Sequence, residues 1–365
     1  MLNSDMLSSL KPSSNWLFAF IPVTLWLEHA HAAAPLVFFT AALAIVPIAQ
    51  LIVHSTEKIA VHTGDAVGGL LNATFGNAPE IIISVVALRA GMYDLVLGSL
   101  AGAVLANALF ATGLSFLLGG LKFREQVFNV QNARLLTSMM LVSVVSLMVP
   151  SAFFRMFEGK VAPDVIAQLN LWLAILLLAG YALYLVFTLR THKELFAAVG
   201  EHEAHEGPVP AWGPALALLV AGSVLAAFVS EILVGAAEGT GKTLGLSQVF
   251  IGMVVLAIVG GAAEIFSAVA VARKDRLDMT IGITMGSCVQ IVLFITPVLV
   301  LSSLMMDGPP FLITFGTGTV VAVLLTVLMT AVVTSDGKAQ WFKGVQLLMM
   351  YLIIASMLYF IPQIR

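Results

Sequence analysis

The chain has 365 residues, 60% of them hydrophobic and only 10% charged, with a mean hydropathy of +1.02; water-soluble domains carry about 25% charged residues. That balance excludes a soluble enzyme, and a net charge of −3 from 17 basic and 20 acidic residues, with no basic stripe, excludes a nucleic-acid binder. A single cysteine, Cys288, and the lack of any CxxC or HExxH segment give no reason to expect a disulfide framework, structural zinc, redox chemistry or another resident cofactor.

Crossing about 30 Å of hydrocarbon takes roughly 20 apolar residues as helix, and runs of about that length recur along the chain. Eleven are predicted, near 16–27, 34–53, 66–88, 95–119, 135–150, 168–189, 214–234, 247–272, 279–301, 311–333 and 344–361. Lys11, the first run and Ala30-His31-Ala32 also resemble the three parts of a secretory signal. Keeping or removing that run leaves the direction of the later helices unchanged. With eleven spans, the alternate loops on one side hold Lys11, Lys58, Lys122, Arg124, Arg134, Arg190, Lys193, Arg273, Lys274, Arg276, Lys338 and Lys343. The other side holds only Arg89, Arg155, Lys160, Lys242 and Arg365. Lys and Arg accumulate in cytoplasmic loops, so the N-terminus is expected inside and the C-terminus outside a cell membrane.

The third and eighth runs match without a gap: GNAPEIIISVVALRAGMYDLVLGSLAG (76–102) and GGAAEIFSAVAVARKDRLDMTIGITMG (260–286). Apolar helices readily share Ala, Ile and Val by chance. Matched Glu80/Glu264, Arg89/Arg273, Asp94/Asp278 and the glycine pairs 76/260, 98/282 and 102/286 mark a repeat instead. The third run starts inside and the eighth outside, so the two copies are inverted. The expected fold is an all-α polytopic membrane protein of about 11 transmembrane helices, a leading helix plus two inverted five-helix repeats. Its parts are 1–33, the first repeat 34–189, an acidic and His-bearing linker 190–213 and the second repeat 214–365. Inverted repeats with a site at their interface characterise secondary transporters. The linker, with Glu201, Glu203 and Glu206 beside His202 and His205, reads as a solvated connection or as a cytoplasmic cation-sensing segment.

A carboxylate inside a membrane costs a few kcal/mol and normally faces a polar interior. Glu80, Glu231 and Glu264 are so placed. The repeat pairs Glu80 with Glu264, and two carboxylates where the halves meet neutralise one divalent cation. When the cation leaves, their mutual repulsion is relieved by protons. Cation and proton then compete for the same oxygens. Calcium takes about 6–8 oxygens, and Asn77, Asn107 and Gln290 supply amides, while Pro79 cannot donate to the Phe75 carbonyl. Gly260-Gly261 is the matching weak point of the eighth run. Gly98, Gly102, Gly282 and Gly286 read as close helix packing, and Arg89 and Arg273 as interfacial anchors.

The stretches GLLNATFGNAPEIIISVVALRAG (69–91), GTGKTLGL (239–246), VGGAAEIFSAVAVARKDRLDMTIGITMGSCVQIVLFITP (259–297) and IVPIAQLIVHSTEKIA (45–60) resemble the cation/proton exchanger (CAX) family of the calcium/cation antiporter superfamily. The resemblance implies eleven helices and export of cytosolic Ca2+, a transported substrate rather than a cofactor, against inward H+ across the bilayer. It places the family's paired acids on Glu80 and Glu264, its repeat amide on Asn77 and later amides on Asn107 and Gln290. The second repeat departs from the pattern, reading GGAAE where the family usually has GNAAE, so Gly261 lacks a side-chain oxygen. Na+/Ca2+ or K+/H+ exchange is the alternative coupling. A membrane-embedded enzyme finds no support, since all seven His fall in loops or at run ends, and a channel usually builds its pore from several chains. Association into a homo-oligomer is left open.

Overall fold

The computed structural model describes residues 14–156, 162–192 and 212–360. After a short 3₁₀ turn come α1 (Phe20–His29), α2 (Ala34–Phe75), α3 (Ala78–Arg89) and α4 (Tyr93–Phe123). A short strand β1 (Glu125–Val127) leads to α5 (Val130–Met156) and α6 (Pro163–Val186). Then follow α7 (Trp212–Leu244), α8 (Gln248–Gly260), α9 (Ala262–Ala272) and α10 (Leu277–Ser303). The chain ends with α11 (Thr317–Thr334), β2 (Lys338–Gln340) and α12 (Trp341–Phe360). The acidic linker residues Glu201, Glu203 and Glu206 lie outside the described residues.

Nine of the eleven expected runs correspond to helices long and apolar enough to cross a membrane, counting α8 and α9 as one span bent by 55°. The other two differ. The first is only the ten-residue α1. The third, 66–88, is interrupted: its beginning is the last part of α2, past the point where the span of α2 ends at Thr63, and the chain breaks before α3. Asn77 sits at the cap with φ −98° and ψ 17°, and Pro79 follows at the start of α3, where its missing N–H costs nothing. Nor is the 42-residue α2 a straight rod. Residues eight apart on a straight helix are separated by about 12 Å, yet a Cβ on Gly68 would lie 2.7 Å from the Ala60 carbonyl.

The tenth run also starts later than expected, because residues 311–316 are not helical and α11 begins at Thr317. Their backbone groups are satisfied by distant buried side chains. Asn170 donates from Nδ2 to the Phe311 carbonyl (2.8 Å) and accepts at Oδ1 from the Ile313 N–H (3.0 Å). The Ser303 and Ser151 hydroxyls accept from the N–H groups of Phe311 and Phe315, both at 2.9 Å. Irregular backbone is tolerated at membrane depth only when buried and paired in this way. At the opposite end β1 pairs antiparallel with β2, Glu125 facing Gln340. Gln126 donates from Nε2 to the Ala272 carbonyl (2.9 Å) and to Asp275 (2.7 Å), tying this strap to the α9–α10 turn.

The helices are layered around α4 and α10. Within the most apolar window of each span, α4 is 89% buried and α10 72%, against 28% for α6 and α12. The rim helices expose Trp172, Leu176, Leu183, Val224, Leu352 and Met357, an apolar outer surface suited to lipid. The centre combines large buried side chains, among them Leu105, Leu109 and Phe116, with close backbone contact. A Cβ on Gly102 would overlap the Met253 carbonyl, and one on Gly252 the Leu95 carbonyl, so α4 and α8 cross backbone to backbone.

Candidate ion-binding site

Glu80 and Glu264 each occupy the third position of a helix that begins directly after a break, α3 after Asn77 and α9 after Gly261. The free N–H groups and dipole of a helix N-terminus favour a carboxylate there. The two glutamates belong to one site. A Cβ on Gly260 would lie 3.2 Å from Glu80 Cγ and 3.7 Å from its Oε1, and one on Gly261 would lie 3.8 Å from that same oxygen. The Glu80 side chain of the first repeat is therefore laid over the break of the second, three residues before Glu264.

The amides complete the cluster. Asn77 Nδ2 donates to Gln290 Oε1 at 2.6 Å, a cross-repeat bond that fixes both side chains. Asn107 Nδ2 donates to the Ala103 carbonyl at 3.2 Å and lies 3.8 Å from where a Gly261 Cβ would stand. Four oxygens, Glu80 Oε2, Glu264 Oε2, Asn77 Oδ1 and Asn107 Oδ1, are buried without a hydrogen-bond partner. Buried polar atoms are nearly always satisfied because leaving them bare costs about 1–3 kcal/mol each. Oxygens of this kind, two of them carboxylate here, are the ligands that hard cations take. A cavity of about 20 Å³, enough for roughly one water, adjoins Glu80 and is lined also by Ser84, Ser99, Ala103, Ala257 and Gly260.

Asn107 and Gln290 are aimed by wide, π-type turns at Ala106–Ala111 and Ile291–Ile295. Such turns recur at functional sites. Each is closed by a threonine: Thr112 Oγ1 donates to the Asn107 carbonyl (2.9 Å) and Thr296 Oγ1 to the Ile291 carbonyl (2.8 Å). The register that pairs Gly76 with Gly260 pairs these threonines too, and carrying that alignment past Gly102/Gly286 is the signal that finds them. It also pairs Asn107 with Ile291, so the two later amides stand one residue out of register. Ser84 and Ser99 carried no sequence signal beyond being hydroxyls in apolar runs.

Other expected residues fall elsewhere. Glu231 is exposed on α7 and hydrogen-bonds to none of the cluster, so the structure does not bring it into the site. A carboxylate's position within an apolar run does not tell which face of the helix it takes. Phe75 ends α2 one turn before Pro79. Arg89 and Arg273 are exposed at helix ends, and the Arg273 carbonyl accepts from Lys122 Nζ at 2.8 Å.

Apolar helices broken at matched points, with two carboxylates and their amides at the breaks, define a membrane transport protein of the cation-exchanger class. The sodium/calcium exchanger protein family model matches residues 33–190 and 214–360, and the chain belongs to that family. It is 36% identical over 360 residues to the Ca(2+)/H(+) antiporter of Aphanothece halophytica, covering 95% of this chain and 96% of that one. It is 34% identical to the Ca(2+)/H(+) antiporter ChaA of Bacillus subtilis, covering 92% and 95%. Among solved structures, native YfkE matches with a TM-score of 0.81 at 31% identity, covering 95% of this chain and 99% of the other.

Proposed function

We propose that this chain is a secondary antiporter, not an enzyme, that carries Ca2+ out of the cytosol in exchange for H+. The observation that carries this reading is the Glu80 carboxylate laid over the Gly260–Gly261 break, among four unpartnered buried oxygens from both repeats. The names of its relatives, Ca(2+)/H(+) antiporters at 34–37% identity over nearly their full length, support it. In this reading Glu80 and Glu264 neutralise one Ca2+, and Asn77 and Asn107 add neutral oxygens. Gln290 holds Asn77 in place. When Ca2+ departs, the two carboxylates cannot stay ionised side by side in low dielectric without a large cost, so protons take its place. The two occupants exclude each other, which makes the exchange obligatory. The Lys and Arg distribution supports a cell-membrane protein with a cytoplasmic N-terminus.

The test is flux. Vesicles carrying the protein and an acid interior should take up radiolabelled Ca2+ as protons leave, and Glu80→Gln or Glu264→Gln should abolish uptake. Full uptake in either variant would overturn the assignment. A second reading, Na+/Ca2+ exchange, draws on the Ser84 and Ser99 hydroxyls beside Glu80, since added hydroxyl oxygens suit Na+. Replacing the proton gradient with a Na+ gradient decides between them: uptake driven by Na+ and not by H+ would favour the second.

A further inference from the structure

The repeat that places Asn77 at the first helix break places Gly261 at the second. The backbone does not require that glycine. Gly261 has φ −78° and ψ 12°, close to the −98° and 17° that Asn77 adopts with a full side chain, and neither angle is in the left-handed region. Both carbonyls also accept in the same way from the fourth residue on, Ile81 N–H at 3.2 Å and Ile265 N–H at 3.0 Å. What differs is the space beyond. A Cβ at Gly261 has the Ala257 carbonyl at 3.1 Å, a contact that must yield by a few tenths of an ångström, and beyond it Asn107 Nδ2 and Glu80 Oε1, each at 3.8 Å.

The two halves of the site are therefore unlike. In one, the Asn77 amide is locked to Gln290 Oε1 and that oxygen is spent. In the other, the corresponding arm is missing; Asn107, only 2% exposed, has its Nδ2 beside the space where an amide would reach, and its Oδ1 is buried without a partner. An ion held between Glu80, Glu264, Asn77 and Asn107 lacks a protein oxygen on the Gly261 side.

We infer that Gly261 is a selectivity-determining position: the space it leaves between Glu80 and Asn107 holds one of the cation's own waters, so the site accepts small, tightly hydrated divalent cations such as Mn2+ alongside Ca2+. This rests on the reading of the cluster as a divalent-cation site. A fully protein-lined cage suits Ca2+, which takes many oxygens in flexible geometry. Smaller divalent ions prefer octahedral oxygen shells and, like Mg2+, part reluctantly with water, so a site that lets one water stay lowers the cost of admitting them. An asparagine at 261 fills the space, returns the missing oxygen and excludes the water.

The experiment is equilibrium binding to the purified full chain in detergent, with radiolabelled Ca2+ displaced by unlabelled Ca2+ or Mn2+, so that no proton exchange is needed. Mn2+ should displace Ca2+ from the wild-type protein. Gly261→Asn should raise the preference for Ca2+ over Mn2+ about tenfold, the value of one charge-assisted oxygen contact. Gly261→Ser, a smaller side chain that keeps the inference testable should the asparagine variant misfold, should shift the ratio the same way by less. Gly261→Ala fills part of the space without an oxygen and should weaken both ions together. An unchanged ratio in a folded Asn or Ser variant, or no displacement by Mn2+ in the wild type, overturns the inference. Binding without proton exchange would instead defeat only the antiport reading, and no binding of either ion defeats both.

Discussion

Where α4 crosses α8 the two backbones touch: Gly102 fits under the Met253 carbonyl and Gly252 under that of Leu95. Gly286 is the repeat partner of Gly102, yet among the described residues nothing lies within 4 Å of where its Cβ would be. The two copies share a sequence pattern and a site, and differ in how tightly each glycine is enclosed. Inverted repeats let one fold hold two packings of the same parts, with the site between them.

The widest gap between the seams should appear on filling the glycines. Gly102→Val drives a branched side chain into backbone that cannot yield, and overpacking of that kind costs about 3 kcal/mol or more. The variant should show a lowered thermal midpoint in detergent, or fail to accumulate. Gly286→Ala, in open space within a helix, should be neutral or gain up to about 1 kcal/mol. Equal losses at both positions would erase the comparison.

The straps that tie the two faces differ next. Asn170→Ala leaves the buried Phe311 carbonyl and Ile313 N–H bare, for about 2–4 kcal/mol from the two groups together. The resulting loosening of 309–316 should appear as faster hydrogen exchange there. Gln126→Ala removes bonds to Ala272 and Asp275 at the other face and should cost less, about 1–2 kcal/mol. Thr112→Val and Thr296→Val each remove the hydroxyl that closes a wide turn and should lose similar stability, about 1 kcal/mol, if the turns are equivalent. A large inequality would show that one turn bears more strain.

The smallest effect is electrostatic. The Gln340 amide, with Lys338 beside it, holds the exposed Glu125 carboxyl below the ordinary carboxylate range. A depressed folded-state pKa stabilises above the unfolded value, about 4.3 for Glu, and that support is lost as pH falls through the folded value. The wild-type midpoint should therefore fall slightly more than that of Glu125→Gln as pH drops below about 4. Parallel curves would remove Glu125 from the strap's electrostatics.

Much of the site was legible because lipid makes polar residues conspicuous. Glu80, Asn77, Asn107, Glu264 and Gln290 stand out in apolar runs, and the structure gathers them in one cluster. The same logic misplaced Glu231, since hydropathy counts residues and does not report which face is buried. Apolarity likewise hid the backbone. The run 66–88 is mostly apolar, although the chain breaks at Gly76-Asn77. Phe311 to Phe315 reads as the start of a helix, but these residues are held out of helix by Asn170 and Ser151, far off in sequence. The π turns were invisible for a related reason, because one extra residue per turn changes hydrogen bonding without changing composition.

Those wide turns have a consequence best seen from the gene. Each accommodates one residue more than an α-helical turn, so the helix beyond it faces about 100° away from the direction an uninterrupted helix would take. A single inserted codon thus uncouples two tasks on one rod: Asn107 is turned toward Glu80 and the Gly261 break, while Gly113 and Gly120 farther along meet α12. Deleting one residue among 108–110 would turn the rest of α4 as a unit without removing the Asn107 side chain.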